Sequence, residues 1–240
     1  MANTFDKTAR RLKEWALWAE AWIVPPICVH CGVHRYGGLP LCRKCLRELR
    51  VGLVWDEEVL PLPWVHALFR MRAPLLSLIH GFKYSHYRRH IRFLSAYLRY
   101  RIAFVEALGS PDVLIPVPLH PARRRERGYN QAELIAVEAG KRFGLPVDAK
   151  ALKRIRFTST QTRLGKEDRA SNLSGAFRCD PEKVKGKKVV LVDDVCTTGS
   201  TLGHCREELL KAGAKSVEAF VIAWVERESL RQPLLNFIPE

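Results

Sequence analysis

An α/β fold, with a parallel sheet flanked by helices and a small cysteine module ahead of it, is the architecture this chain predicts. Three observations carry that prediction. From residue 112 onward, apolar runs of strand length alternate with stretches of helical spacing. Those runs lack strict apolar–polar alternation, which is the pattern of strands buried on both faces. Four of the seven cysteines stand as two close pairs near the N-terminus, before the alternation begins.

Composition sets the scale. With 240 residues, 47% of them apolar and 27% charged, the chain can bury one full core plus a small satellite. The formal charge is +15, and residues 59–180 hold nearly all of it. Such a field favours polyanions or phosphorylated small molecules as partners, with a solvated basic surface as the plainer alternative. Residues 1–24 read as an amphipathic helix, since Leu12, Trp15, Ala16, Ala19, Trp22 and Ile23 recur at helical spacing before Pro25 and Pro26. Glu14 and Glu20 interrupt what would otherwise be a signal-peptide core, and the stretch is too short to span a bilayer. A cytoplasmic protein without stable membrane insertion is therefore expected.

Residues 25–60 form the cysteine module. Cys28, Cys31, Cys42 and Cys45 follow a C-x2-C-x10-C-x2-C spacing, in which each pair aims two thiolates at one point. Two such pairs complete a tetrahedron, and soft sulfur ligands select zinc over a disulfide pairing that would suit an oxidising compartment. Four thiolates leave no open position, so this zinc is structural. His30 and His34 are surplus to the ligand set. The other cysteines have no metal spacing: Cys205 falls on the apolar face of a helix, and Cys196 reads as a small filler in a turn.

Residues 61–240 make the main domain. Residues 74–105 read as mostly helical, with basic residues interleaved among Tyr84, Tyr87, Phe93, Tyr97 and Tyr100. That mixture suits stacking and phosphate contact with single-stranded nucleic acid, although helical spacing turns several of these rings toward the core. Then come "DVLIPVPL" as a strand, "NQAELIAVEAGKRFG" as a helix closed by Gly144, "KKVVLVDDV" as a strand, "STLGHCREELLKAGA" as a helix closed near Gly213, and "SVEAFVIAWV" as a strand. Ligands of such sheets bind at the carboxyl ends of the strands.

One such end carries unusual chemistry. In "VVLVDDVCTTGST" a buried strand stops at Asp193 and Asp194, then turns through Cys196, Thr197, Thr198, Gly199, Ser200 and Thr201 into a helix. Free amides, the helix dipole and four hydroxyls make a phosphate cradle there, and Gly199 lets a ligand approach the backbone. Paired carboxylates would repel that phosphate unless they face a neutral polyol or a magnesium ion. The combination asks for a sugar phosphate. Neither a Walker loop nor a dinucleotide-binding turn fits, because the required glycines and lysine are absent.

The stretch resembles the phosphoribosyl pyrophosphate (PRPP) binding motif of type I phosphoribosyltransferases. "IPVPLHPARRRERGYNQAELIA", "RIRFTSTQTRLGKEDRASNLSGAF" and the four-cysteine module narrow the likeness to the ComF family of competence-associated proteins, which includes GntX-like members. The likeness covers about Cys28 to Trp224. It implies a type I phosphoribosyltransferase-like sheet over residues 61–240, preceded by a zinc ribbon. It also implies that Asp193 and Asp194 hold the ribose hydroxyls, that residues 197–201 hold the 5-phosphate, and that a pyrophosphate loop follows "PVPL" with Arg123 and Arg127 as charge partners. The stretch 154–169 becomes a hood over the site, with Arg156, Thr158, Gln161 and Arg169 as candidate contacts. Magnesium comes with PRPP, a nitrogenous base-like acceptor attacks the sugar, and the family's link to natural competence points to DNA uptake. Two classes stay open on this reading: an active transferase, or a PRPP-sensing or single-stranded-DNA-binding accessory protein of the uptake machinery.

Overall fold

The computed structural model describes residues 27–34, 39–54, 60–81, 87–100, 110–156 and 175–226. The helix expected over residues 1–24 lies outside them, as do Thr158, Gln161 and Arg169. The architecture is α/β, as expected. Four strands, β1 (Val65–Arg70), β2 (Val113–Pro116), β5 (Lys188–Cys196) and β6 (Ser216–Trp224), form one parallel sheet in the order β1-β6-β5-β2. A separate antiparallel pair, β3 (Leu152–Arg154) and β4 (Phe177–Cys179), completes the described strands.

The central strand shows why its sequence does not alternate. Val190 and Val192 of β5 enter one apolar cluster, together with Phe220 and Ile222 of β6. Val189 and Leu191 enter a second cluster on the opposite face, with Val217, Ala219 and Val221. Both faces are covered, so every position from Val189 to Val192 is apolar. Each such side chain contributes about 1.5–3 kcal/mol relative to exposure. The first face is covered by α2 (Ala73–Gly81), α3 (Tyr87–Ser95) and α5 (Gln131–Phe143), the second by the short α6 (Pro181–Val184), α7 (Ser200–Lys211) and the β3–β4 pair.

Strand β1 is absent from the sequence prediction. Its run "VHALFR" carries His66 and Arg70 among apolar residues and sits at the sheet edge. Its partner β6 is some 150 residues away, with Val65 opposite Ala219. His66 faces Glu218 of that strand at 3.3 Å, so the polar positions are used across the pair.

The cysteine module holds its two pairs in different local structures. The first pair sits in a knuckle in which the Cys28 amide donates to Val33 O at 2.8 Å and Ile27 bridges His34. The second pair opens a helix instead of a second β-turn. Cys42 is the N-cap of α1 (Arg43–Val51), and Cys45 lies three residues on, on the same face. Helical spacing serves a C-x2-C pair as well as a turn does. Helix α1 then buries Cys45 and Leu49 in the cluster that contains Leu68 and Phe69 of β1. The Arg70 amide donates to Gly52 O at 2.7 Å.

The basic and aromatic stretch resolves toward the core. Tyr97, in a 3-10 turn (Ala96–Tyr100), is 7% exposed and packs edge-on against Phe69 and Phe93, with centroids 5.3 and 5.8 Å apart. Neither Phe93 nor Tyr97 is therefore a base-stacking platform. Tyr84 lies outside the described residues, as do the side chains of Tyr87 and Tyr100.

Candidate functional site

The carboxyl end of β5 is the centre of the site. Asp193 and Asp194 are half-buried there, and each carboxylate folds back on the chain behind it. The Asp194 amide donates to Asp193 Oδ1 and the Val195 amide to Asp194 Oδ1, both at 2.8 Å. Burial pushes the Asp193 carboxyl well above the usual carboxylate range, and the adjacent Asp194 charge pushes it further. Asp194 is also raised by burial, against the hydrogen bonds it accepts and the charge of Arg127. Two carboxyls this close resist double ionisation in an empty site. A ligand that donates hydroxyl hydrogen bonds favours the charged form.

Beyond the pair the chain turns sharply. Cys196 is 2% exposed under the turn, and burial drives its thiol up to about 12, which makes it a small filler and not a reactive thiol. Thr197 and Thr198 are exposed, while Ser200 and Thr201 are half-buried at the start of α7. Gly199 is the helix cap at φ +76°, a conformation that disfavours side chains, and Leu62 packs where a β-carbon would stand. The first amides of the twelve-residue helix α7 face the turn with the positive end of its dipole.

The segment after β2 is a helix, not the loop expected for it. Pro121–Arg127 forms α4, with His120 Nδ1 accepting from the Ala122 amide at 3.2 Å and Gly128 closing the end at φ +76°. Proline at the first position and glycine beyond the last explain it. The helix also sorts its arginines. Arg123 and Arg127 are four residues apart on one half-buried face, whereas Arg124 and Arg125 are exposed and Arg124 pairs with Glu133 at 3.0 Å. The next polar pair has a structural task. Asn130 donates from Nδ2 to Val117 O at 3.0 Å and accepts from the Ala132 amide at 3.1 Å, which fixes the start of α5 to the strand exit.

From the hood, the described residues bring one side chain to the site that the sequence reading passed over. Arg154 ends β3 opposite Phe177 of β4, and its guanidinium carbon lies 5.5 Å from that ring's centroid. Burial lowers its pKa and the Arg123 charge lowers it further, while Asp193 opposes both. Arg154 thus lies within electrostatic reach of the basic helix and of the acidic pair. The signal available was the "RIR" spacing, but the reading chose Arg156, which is exposed. Arg123, Arg127, Asp193 and Asp194 come together as neighbours of one site, and the described residues place no other sequence candidate from the hood there.

The metal centre is separate. The four Sγ atoms of Cys28, Cys31, Cys42 and Cys45 lie within 4.8 Å of one another, and Cys31 and Cys42 are 3.7 Å apart. A tetrahedron with zinc–sulfur bonds of about 2.3 Å has sulfurs about 3.8 Å apart, so the donor set fits zinc. Burial opposes ionisation of Cys28, yet the amides of Cys31, Cys42 and His30 outweigh it and bring the thiol down to about 7. His30 Nδ1 lies 3.0 Å from Ser77 Oγ of α2, a tie between the module and the sheet's helices. No helix among the described residues is long and apolar enough to cross a membrane.

Known proteins are similar to this chain in sequence. The phosphoribosyl transferase domain family matches residues 134–234. Competence protein F of Haemophilus influenzae is 34% identical over 203 residues, covering 82% of this chain and 84% of that one. DNA utilization protein YhgH of Escherichia coli K12 is 32% identical over 202 residues, covering 82% and 83%. Among solved structures, the purine phosphoribosyltransferase from Pyrococcus horikoshii is 25% identical, with 56% of this chain and 69% of that one covered and a TM-score of 0.31. With a relative above 30% identity matched over more than four-fifths of its length, a phosphoribosyltransferase domain and a four-cysteine module, the chain belongs to the ComF family of competence-associated proteins.

Proposed function

We propose that this protein binds PRPP and transfers its phosphoribosyl group to a nitrogenous base-like acceptor, in the service of DNA uptake or utilization. The observation that carries the reading is the continuity of Asp193, Asp194 and the Thr197–Thr201 turn, faced by Arg123 and Arg127. In this reading the two carboxylates accept the ribose hydroxyls and the turn holds the 5-phosphate. Arg123, Arg127 and Arg154 offer planar donors for the pyrophosphate. Arg156 and Arg169 complete the hood that excludes water from an oxocarbenium-like carbon.

The transfer needs no protein nucleophile. The acceptor nitrogen attacks the anomeric carbon, the bond from that carbon to the pyrophosphate oxygen breaks with its electron pair, and the nitrogen gives up a proton. Magnesium bound to PRPP oxygens supplies charge neutralisation of the leaving group. The chain's own residues contribute position and fixed charge. We place the protein in the cytoplasm, where PRPP is made, and the four cysteines around a structural zinc.

A second reading keeps PRPP binding without turnover, as a sensor or a single-stranded-DNA-binding accessory. The relatives' names favour it, because they speak of competence and DNA and not of an acceptor. Labelled PRPP incubated with magnesium and a panel of nucleobases separates the two. Acceptor-dependent pyrophosphate release establishes the transferase, and binding without release establishes the sensor.

A further inference from the structure

A groove of about 370 Å³ lies between α3 and α5, lined by Arg92, Ser95, Ala96, Glu138, Lys141 and Arg142. It is far from the acidic pair along the fold. Helix α5 starts at Asn130, tied to Val117 beyond the carboxyl end of β2, and runs back for thirteen residues, about 20 Å. At its far end the chain returns beside the start of β2, where the Leu114 amide donates to Pro146 O at 2.9 Å. Lys141 and Arg142 stand in that last turn of α5, and Arg92 in the last turn of α3. The packing of two helices well separated in sequence, Tyr87–Ser95 and Gln131–Phe143, therefore gathers three cations on one concave surface.

Their charge is only partly balanced. Glu138 faces Lys141 at 3.4 Å, but Lys141 is 66% exposed and such a pair holds its partner weakly. Arg92 and Arg142 are exposed. Ser95 adds a hydroxyl, which itself donates to Arg92 O at 2.9 Å. Among the described residues that line the groove none is aromatic, and the nearby rings of Phe93 and Tyr97 are spent on each other and on Phe69. Cations and a hydroxyl match phosphate oxygens, contacts that carry no base information. Three cations drawn from two helices match several phosphates of a chain better than a single one.

We infer that this groove grips the phosphodiester backbone of a nucleic-acid strand through Arg92, Lys141 and Arg142, without reading its bases. The inference rests on the DNA-linked part of the proposed function and not on catalysis. Because the groove and the acidic pair lie at opposite ends of α5, strand and PRPP are held at the same time.

The test is fluorescence anisotropy with a labelled single strand of about 20 nucleotides, longer than one such site needs. The full-length protein binds oligothymidylate and oligoadenylate alike, and the logarithm of affinity falls linearly with the logarithm of salt concentration. Reversing all three charges (R92E, K141E, R142E) lowers affinity at least about 10-fold and flattens the salt slope by about 2, at about 0.7 per lost contact. The neutral pair K141Q and R142Q loses less, in the same direction. PRPP titration heat and melting temperature of the variants match the parent's, which separates loss of the groove from loss of the fold or of the PRPP site. Unchanged strand affinity in the triple variant overturns the inference. So does a strong preference for one base, or displacement of the strand by inorganic pyrophosphate at concentrations that leave ionic strength unchanged. Absence of PRPP heat, with strand binding as described, overturns the proposed function alone.

Discussion

The cysteine module and the acidic site are built in opposite ways. The module's four ligands lie within 18 consecutive residues, and a knuckle and one helical turn bring them together. The acidic site draws on the exit of β2, the end of β3 and the end of β5, which lie far apart in the chain and in two different sheets. A motif local in sequence announces its chemistry through spacing, whereas a site assembled from distant strand ends announces only the parts that are local. On the proposed function stability should follow the same division: the module would need its metal, and the acidic site would cost free energy that a ligand recovers.

Removing the metal breaks the comparison hardest. Cys45→Ser, or chelation, is expected to cost at least about 4 kcal/mol, the linkage of a site filled at a thousandfold excess over its dissociation constant. Because Cys28 and Cys45 share an apolar cluster with Leu68 and Phe69, the loss spreads to the sheet edge. A metal-release assay run alongside thermal unfolding checks this; an unchanged melting temperature after complete chelation would detach the module from the core. Asp194→Ala comes next, with PRPP affinity expected to fall about 100-fold or more as charge-assisted hydrogen bonds are lost, and with the fold intact. Calorimetry measures both. Gly199→Ala is expected to cost about 1 kcal/mol from the backbone alone, more where Leu62 must move, and to weaken PRPP binding in parallel.

The smallest effect is the most diagnostic. Asp193 has a raised pKa in the folded chain, so the folded state holds its proton to higher pH than the unfolded state does. The cost of its ionisation is absent below the ordinary carboxylate range and grows as pH rises through the folded value. Asp193→Asn should therefore raise the melting temperature of the ligand-free protein at pH 8, with the gain vanishing toward pH 4, while abolishing the tight PRPP site. A gain that is equal at both pH values would remove the electrostatic explanation. These groups are Asp194, Arg154 and the buried thiols of Cys196 and Cys205, which all act on Asp193 or feel its charge.

How much was legible follows from where the determinants sit. Strand β5, its acidic end and α7 are contiguous, and the run Val189–Val192 followed by two aspartates and hydroxyls needs no tertiary partner to be read. Helix α5 was equally plain, with Asn130 before it and Gly144 after it. Strand β1 was hidden because His66 and Arg70 earn their places only against Glu218 and Glu226, far along the chain. The arginine run looked like a loop because its cap is a histidine ring, an uncommon N-cap. Arg154 could not be singled out, since Phe177, Arg123 and Asp193 reach it from three other segments. Phe93 and Tyr97 carried both readings at helical spacing until Phe69 settled them in the core.

On the proposed function, the end of β5 is shaped for a phosphorylated pentose. Isothermal titration of the zinc-loaded protein with magnesium and PRPP tests it most directly. The account predicts saturable heat at one site per chain, a raised melting temperature, and loss of both in Asp194→Ala. Absence of heat and of any thermal shift in the parent protein, or identical titrations for parent and variant, would contradict it.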